Sequence, residues 1–335
     1  MNKDSIVSVQ DLNVNLMTTR GVVCAVRGVD LEIKKGEIHG LVGESGCGKT
    51  MTAKSILRLH DEKRTLYSGK ILLKKTDGSE VSVLELPRKE LPSIRGEEVA
   101  MIFQDPMVSL NPLLTIGDQI CEMLRTHTEL SKLEINARML DLLNMVGIRP
   151  AEERSRQYPF EFSGGMAQRI MIAMALSCDP QLLIADEATT ALDVTTQAQI
   201  LELMKDLQRR IGMSMLLITH NFGVVAEICD RASVMYAGKI VETSSVQELF
   251  DAPQHPYTRA LINSIPRSGR SGERLVTIPG SPPSLLQPIH GCAFAPRCQF
   301  ATEQCRQIQP PMTGTGGHEC ACHLAGAGKE DVQSV

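Results

Sequence analysis

The first forty residues alternate apolar and polar positions with a period of two, which is the pattern of half-buried strands. It predicts strands over residues 6–9, 22–26, 31–33 and 38–42, separated by turns rich in glycine and charge. The last of these strands leads directly into a glycine-rich turn, and the apolar residues of 49–59 then recur with helical spacing. A strand, a turn and a helix therefore follow one another early in the chain.

The middle of the chain is mainly helical. Within residues 106–180, helical spacing is clearest at 116–124, 135–146 and 168–176. Apolar runs typical of buried strands then return at residues 182–185, 215–219 and 233–236, with helices between them. Alternation of buried strands and helices indicates a mostly parallel α/β sheet, interrupted here by a helical insertion.

The composition changes toward the C-terminus. Residues 251–325 are rich in Pro, Gly and Cys and have little periodicity. We therefore predict a first domain over residues 1–250, with a helical subdomain over 106–180, and a loop-like C-terminal extension over 251–325. The last ten residues, 326–335, are predicted to form a disordered tail.

Bulk composition narrows the class of protein. With 42% hydrophobic residues, 22% charged residues and a net charge of −4, the chain has the composition of a folded protein without the basic surface of a nucleic-acid-binding one. Its longest apolar stretches are shorter than the roughly 20 residues that cross a bilayer, and its N-terminus lacks the apolar segment of a signal peptide. We therefore predict a cytosolic protein whose ten cysteines are reduced thiols or metal ligands.

The turn after the fourth predicted strand has the pattern G-x-x-x-x-G-K-[ST]. It consists of Gly43, Glu44, Ser45, Gly46, Cys47, Gly48, Lys49 and Thr50. The glycines allow successive backbone N–H groups to point at one anion, and the positive end of the following helix faces the same phosphates. Lys49 is predicted to neutralise the β- and γ-phosphates, and Thr50 to supply a hydroxyl ligand to Mg²⁺. We interpret the turn as a nucleotide-binding P-loop; the alternative is a glycine-rich turn with an incidental lysine.

An apolar strand that ends in two adjacent acids follows at residues 182–187. At the C-terminal end of a parallel strand, Asp186 is expected close to the Mg²⁺ ion. Glu187 is expected to orient and polarise the water that attacks the γ-phosphate. The alternative is a structural pair that caps the helix predicted to begin near Thr189. With the P-loop upstream, the two acids predict an ATPase.

Four further motifs resemble those of one family. Residues 162–166 (FSGGM) resemble the signature of ABC nucleotide-binding domains, Gln104 resembles the Q-loop glutamine, His220 the switch histidine, and residues 191–193 (ALD) the D-loop. Together with the P-loop and the acidic pair, they occur in the order found in one such domain, over residues 5–245. The resemblance implies an α/β P-loop NTPase fold with an antiparallel β subdomain and a helical subdomain.

The resemblance also implies how the motifs act. Two such domains pack head to tail, and ATP is held between the P-loop of one and the signature of the other. The contacts across the interface would come from Ser163, Gly164 and Gly165 at the start of a helix. Gln104 is implied as a further Mg²⁺ ligand and, together with Glu187 and His220, as a member of the catalytic group.

The extension resembles one branch of the family. Residues 255–258 (HPYT) are similar to the extension of the ATPases of dipeptide, oligopeptide and nickel importers. In those proteins a similar set of cysteines carries a [4Fe–4S] cluster, which here implies the ligands Cys292, Cys298, Cys305 and Cys322. Four thiolates on a loop-rich segment suit such a cluster chemically. Structural zinc and unliganded thiols are the alternatives.

This branch implies an enzyme that hydrolyses ATP to ADP and phosphate and thereby energises a binding-protein-dependent importer. The implied partners are a second, homologous ATPase subunit, two transmembrane permease subunits and an extracytoplasmic solute-binding protein, with the chain on the cytoplasmic face of the inner membrane. Di- and oligopeptides are the expected cargo, and nickel or another small solute is the alternative. A soluble ABC ATPase outside transport is an alternative of another class. The single P-loop argues against it, and the retained Lys49, Glu187 and His220 argue against an inactive subunit.

Three positions depart from the family pattern. No Phe, Tyr or Trp precedes Tyr67, so the usual aromatic contact to adenine is missing, and the plane of Arg20 or the aliphatic atoms of Val22 would replace it. The signature ends in Met166 where Gln is common, and Ala188 follows the catalytic acid where Pro is common. Because the acid itself is retained, activity is still predicted.

Overall fold

The computed structural model of the chain describes residues 4–190, 192–265 and 278–325. Its strands are β1 (Ser5–Thr18), β2 (Gly21–Lys34), β3 (Ile38–Val42), β4 (Thr65–Lys74), β5 (Glu80–Ser82), β6 (Val99–Ile102), β7 (Leu182–Asp186), β8 (Ser214–Thr219), β9 (Arg231–Tyr236), β10 (Lys239–Ser245), β11 (Thr313–Thr315) and β12 (His318–Cys320). Its helices are α1 (Lys49–Ile56), α2 (Pro106–Ser109), α3 (Ile116–His127), α4 (Lys132–Met145), α5 (Ala151–Arg154), α6 (Gly164–Ala175), α7 (Val194–Ile211), α8 (Phe222–Ile228), α9 (Val246–Asp251), α10 (Pro256–Asn263) and α11 (Glu303–Gln307).

The N-terminal strands form a four-stranded antiparallel sheet in the order β2-β1-β4-β5. β2 is 14 residues long and joins the two strands that were predicted separately over 22–26 and 31–33. The stretch between them stays in the sheet because β1 pairs along the whole of β2, with register shifts that absorb the irregular part. Such shifts interrupt the alternation of apolar and polar positions, which explains the split prediction.

The second sheet has eight strands in the order β11-β12-β10-β9-β3-β8-β7-β6. Its centre, from β9 to β6, is parallel, as predicted from the apolar runs. β10, β12 and β11 extend the sheet with antiparallel pairing. The sequence pattern did not predict these three strands or β6. β6 has four residues and β11 and β12 have three each, which is too short for a period to be recognised.

Helices α2 to α6 lie between β6 and β7 in the chain and form the helical subdomain. Its longer helices begin at residues whose side chains accept a hydrogen bond from the first helical turn: Thr115 before α3, Ser131 before α4 and Ser163 before α6. These helices share one apolar core, which includes Ile120 and Leu142. The subdomain is therefore packed around a core that it shares with the main sheet.

The main sheet lies between two hydrophobic cores, because successive residues of a strand face opposite sides. On β7, Leu183 and Ala185 belong to the core that is shared with the helical subdomain. Leu182 and Ile184, which alternate with them, belong to the core shared with the antiparallel sheet. Because both faces of β7 are buried, its position in the sheet is fixed, and so is the position of the acidic pair at its end.

The C-terminal extension folds against the main sheet rather than apart from it. A third core joins Val42 and Tyr236 at the ends of β3 and β9 to Tyr257 and Phe294 of the extension. The predicted disordered tail, residues 326–335, lies outside the described residues. No helix in the described part of the chain combines the length and the apolar character needed to cross a bilayer.

Candidate nucleotide-binding and hydrolysis site

The P-loop connects the C-terminal end of β3 to the first turn of α1. Gly48 adopts the left-handed conformation (φ 106°) and precedes the helix. A Cβ atom at Gly48 would lie 2.6 Å from the carbonyl oxygen of Ala25, and one at Gly43 would lie 2.2 Å from that of Met235. Since no larger residue fits at either position, the two glycines let the loop pass close to the neighbouring strands.

Lys49 is the first residue of α1, and its side chain is turned back over the loop. Its ammonium group donates to the carbonyl oxygens of Gly43 at 2.8 Å and Glu44 at 3.0 Å. The Lys49 side chain is buried, which keeps this charge in a low-dielectric position where an anion is strongly attracted. Cys47 packs into the core below, and burial raises the pKa of its thiol.

Thr50 and Asp186 meet between the first turn of α1 and the end of β7. The Thr50 hydroxyl donates to Asp186 Oδ1 at 2.9 Å. Burial raises the pKa of Asp186, and the Thr50 hydrogen bond and the nearby Lys54 and Lys49 oppose that effect. A hydroxyl and a carboxylate side by side are the hard oxygen donors that Mg²⁺ prefers, so the pair fits the predicted metal position.

Two of the three predicted catalytic residues, Gln104 and His220, converge on the third, Glu187. The amide nitrogen of Gln104 donates to Glu187 Oε2 at 3.1 Å. His220 Nδ1 lies 3.4 Å from Glu187 Oε1. Glu187 has a left-handed backbone (φ 49°), held by a hydrogen bond from its N–H group to the carbonyl oxygen of Ile218. An acidic residue in this costly conformation is typical of a functional site.

The signature residues make their contacts away from this group. Ser163 caps α6 and accepts a hydrogen bond from the N–H of Met166 at 3.4 Å. A Cβ atom at Gly165 would lie 2.6 Å from Thr196 Cγ2 at the start of α7, and one at Gly164 would lie 3.7 Å from Leu192 Cδ2. The signature thus packs against the D-loop segment, of which Ala191 lies outside the described residues.

Two residues of the C-terminal extension contact the P-loop, and the sequence patterns gave no indication of either contact. The N–H of Glu44 donates to the Tyr257 hydroxyl at 2.9 Å. The Arg297 guanidinium donates to both carboxylate oxygens of Glu44, at 2.7 and 3.0 Å. Tyr257 belongs to the HPYT segment that identified the extension, but nothing local to that segment reveals its partner 213 residues away.

Four cysteines of the extension line one small pocket of about 10 Å³, which has room for about one water molecule: Cys292, Cys298, Cys305 and Cys322. Cys320 is fully buried and does not line it. Burial raises the pKa of Cys298 to about 11. In the described ranges, no group of three or more His, Cys, Asp or Glu side chains is placed to hold one metal ion. The donor chemistry suits a cluster, but the cavity as it stands is too small for one.

A P-loop that follows a central parallel strand, together with two acids at the end of a nearby strand of the same sheet, defines the class of P-loop ATPases. Residues 26–190 match the family model described as ABC transporter, and residues 241–305 match the model described as oligopeptide/dipeptide transporter, C-terminal region. The dimeric structure of the ATP-binding cassette MJ0796 with ADP and Pi superposes with a TM-score of 0.62 at 27% identity, over 72% of this chain and 98% of that one. CbiO1 from Clostridium perfringens gives a TM-score of 0.62 at 26% identity, over 75% and 92%.

Relatives of known name are closer in sequence. The dipeptide transport ATP-binding protein DppD of Bacillus subtilis is 48% identical over 96% of this chain and 95% of its own length. The oligopeptide transport ATP-binding protein OppD of Bacillus subtilis is 49% identical over 92% of this chain and 85% of its own length. The chain therefore belongs to the family of dipeptide and oligopeptide ABC transporter ATP-binding proteins, and it is an ABC-type ATPase. The predicted resemblance and the α/β P-loop fold are confirmed.

Proposed function

We propose that this chain binds and hydrolyses Mg-ATP to power a binding-protein-dependent importer of di- or oligopeptides. The observation that supports hydrolysis best is the convergence of Gln104 and His220 on Glu187, beside the paired Thr50 and Asp186. Family membership supports transport, because relatives nearly half identical in sequence are named as dipeptide and oligopeptide transport proteins.

In this proposal each residue acts through the group that it presents. The Lys49 ammonium group exchanges its hydrogen bonds to the loop carbonyls for contacts with the β- and γ-phosphates. Thr50 and Asp186 would hold Mg²⁺, with Gln104 as a further ligand. When bound, the ion neutralises charge that develops on the phosphate oxygens. The Glu187 carboxylate accepts a hydrogen bond from the attacking water and aligns it, while His220 orients that carboxylate.

The signature takes part in a different way. Ser163 and the N–H groups of Gly164 and Gly165 stand at the N-terminus of α6, where the helix dipole favours an anion. In the described chain their contacts are with the D-loop side and not with the P-loop. We infer that they bind the γ-phosphate held by a second ATPase subunit, which is a homologous partner in a heterodimer. Triphosphate then favours the closed dimer, and hydrolysis releases it.

The remaining partners follow from the importer role. They are two transmembrane permease subunits and an extracytoplasmic solute-binding protein, with the chain peripheral on the cytoplasmic side of the membrane. We propose the domain division of the sequence analysis: an ATPase domain over 1–250 with its helical subdomain over 106–180, and the extension over 251–325. Nickel or another small solute is the alternative cargo.

We also propose that the four cavity-lining cysteines are ligands of a [4Fe–4S] cluster, with zinc as the alternative metal. The support is that Cys292, Cys298, Cys305 and Cys322 line one small pocket, whereas Cys320 does not. The Cys322 thiolate would also accept from the N–H of Leu324, which lies at 3.4 Å. The cavity must widen for either the cluster or its ligands to adopt bonding geometry, so we assign no step of ATP hydrolysis to it.

The transport role is tested by reconstituting the chain with its cognate permeases and partner ATPase in vesicles that enclose ATP, with the binding protein outside. We expect labelled di- or oligopeptide to accumulate inside, and the same peptide to stimulate phosphate release. Nickel ions serve as the second substrate arm. Accumulation of nickel without peptide would move the cargo to the alternative. Stimulation by neither, with ATP hydrolysis intact, would contradict the importer role.

A further inference from the structure

Among the described residues, the hydrogen bonds between the C-terminal extension and the P-loop converge on Glu44. Its backbone N–H donates to the Tyr257 hydroxyl, and its carboxylate accepts both arms of the Arg297 guanidinium. A bidentate pair between arginine and carboxylate fixes orientation as well as distance. Both the peptide group and the side chain of this loop residue are therefore held from the extension.

Arg297 uses all of its donors in this position. Besides its two bonds to Glu44, it donates to the Tyr236 hydroxyl at 3.3 Å, to the Ile278 carbonyl at 3.3 Å and to the Pro279 carbonyl at 2.9 Å. Only 5% of its side chain is exposed. A guanidinium with an acceptor for each of its five N–H groups has one stable orientation. Hydrogen bonding to Glu44 also raises the pKa of Arg297 above its ordinary value, so its charge is permanent.

Tyr257 is equally fixed. Its ring is fully buried and packs against Tyr236 and Phe294, with ring centroids at 4.6 and 5.3 Å. Burial raises the pKa of its hydroxyl, which therefore stays neutral. The hydroxyl oxygen is thus a permanent acceptor for the N–H of Glu44.

Glu44 connects the extension to Lys49, the residue proposed to bind the phosphates. Its carbonyl oxygen accepts from Lys49 Nζ at 3.0 Å, so the same residue touches Tyr257 and Arg297 on one side and Lys49 on the other. Its negative charge has a second consequence. A free carboxylate in a loop that binds triphosphate would repel the ligand, and Arg297 is the cation that offsets it.

We propose that Tyr257 and Arg297 are positioning residues of the ATP site, which act through Glu44 to hold the P-loop and to cancel an unfavourable charge beside the phosphates. This inference rests on the proposed binding of ATP and deepens it. It makes the extension a part of the nucleotide site and not only an attachment to the sheet.

The test measures the dissociation constant of Mg-ATP by calorimetry on the purified full-length chain. Loss of one hydrogen bond in Tyr257→Phe should weaken binding about fivefold. Arg297→Met removes the partner of a charged group and should weaken it by at least about tenfold. Adding Glu44→Gln to Arg297→Met should restore binding to within about threefold of the wild type, because the repelling charge is then gone. A merely structural role would not produce this recovery.

Matched controls carry the same chemical changes elsewhere. Tyr67→Phe alters a tyrosine of β4, in the antiparallel sheet, whose ring lies near that of His60. Arg306→Met alters an exposed arginine of the extension. Both should leave Mg-ATP binding unchanged. Thermal unfolding establishes that each variant is folded, and Arg297→Gln, which also removes the positive charge, replaces Arg297→Met if the latter is not.

The outcomes separate the inference from the function on which it rests. If the wild type binds Mg-ATP and the folded Tyr257 and Arg297 variants bind within twofold of it, the positioning role is wrong. If the double variant binds no better than Arg297→Met, the charge argument is wrong. If the wild type itself fails to bind Mg-ATP, the proposed function falls, and the inference with it.

Discussion

Replacing Glu187 with Gln should separate nucleotide binding from hydrolysis. Each oxygen of the Glu187 carboxylate has one neighbour, Gln104 on Oε2 and His220 on Oε1. Glutamine has the same shape, and the Gln104 amide and the His220 ring can each reverse their donor and acceptor atoms to suit it. Lys49 and Thr50 do not contact Glu187 through any hydrogen bond in the described site, so the affinity for Mg-ATP should change by less than about 1 kcal/mol.

The effect on turnover should be much larger. Loss of a general base costs about 10²- to 10⁴-fold in rate, which corresponds to ~3–5 kcal/mol in the activation barrier. Phosphate release by the full-length chain, alone and assembled with its cognate subunits, measures the rate, and calorimetry measures the affinity. Glu202→Gln, the same change on the exposed face of α7, is the matched control and should leave both unchanged.

Two results would refute the reasoning. Phosphate release by Glu187→Gln within threefold of the wild type would show that another group activates the water. Loss of Mg-ATP binding together with turnover would show that the acid serves mainly to bind nucleotide or metal.

Three further predictions concern stability and metal content. Burial raises the pKa of Asp186 above 3.8, so the folded chain binds this proton more tightly than the unfolded chain, and stability falls as the pH rises through the raised pKa. Asp186→Asn should therefore raise the melting temperature of the nucleotide-free chain at pH 7.5, by an amount that shrinks toward pH 4. A lower melting temperature for this variant at pH 7.5 would contradict the argument. Glu242→Ala should lower the free energy of unfolding, measured with denaturant, by about 3–5 kcal/mol, because it removes a fully buried carboxylate that accepts three hydrogen bonds. The control Glu319→Ala changes an exposed residue and should lower it by less than about 0.5 kcal/mol. Equal losses for the two variants would refute the argument. Anaerobically purified Cys322→Ser should lack the brown absorbance of a [4Fe–4S] protein while Cys24→Ser keeps it, and a colourless wild type with stoichiometric zinc would favour the other metal.

The nucleotide site was largely predictable because its residues follow the ends of strands that local patterns identify. Lys49 and Thr50 follow β3, Asp186 and Glu187 end β7, and His220 follows β8. The carboxyl ends of parallel strands lie at one edge of a sheet, so side chains that follow them come together. The structure brings the Thr50 hydroxyl to 2.9 Å from Asp186 Oδ1. Their roles toward Mg-ATP stay predictions.

The contacts of the extension were not predictable in the same way. Arg297 meets Glu44 across 253 residues, and neither has a periodic neighbourhood that would indicate its partner. Arg297 lies in a stretch whose composition predicted only loops. Its contact with Glu44 depends on the third hydrophobic core, which brings Phe294 against β9. Long-range pairs of this kind are set by tertiary packing and leave no local signal.

The attachment of β12 to β10 has a consequence for synthesis of the protein. When the ribosome has completed only the first 250 residues, β10 presents an unpaired edge, and the buried acid Glu242 lacks its later partners, Gln254, His255 and His318. An exposed edge on an unfinished sheet favours wrong association between nascent chains. The nascent protein is therefore most vulnerable just before its last hairpin emerges, and truncation at the apparent domain boundary should yield an aggregating fragment rather than a minimal ATPase.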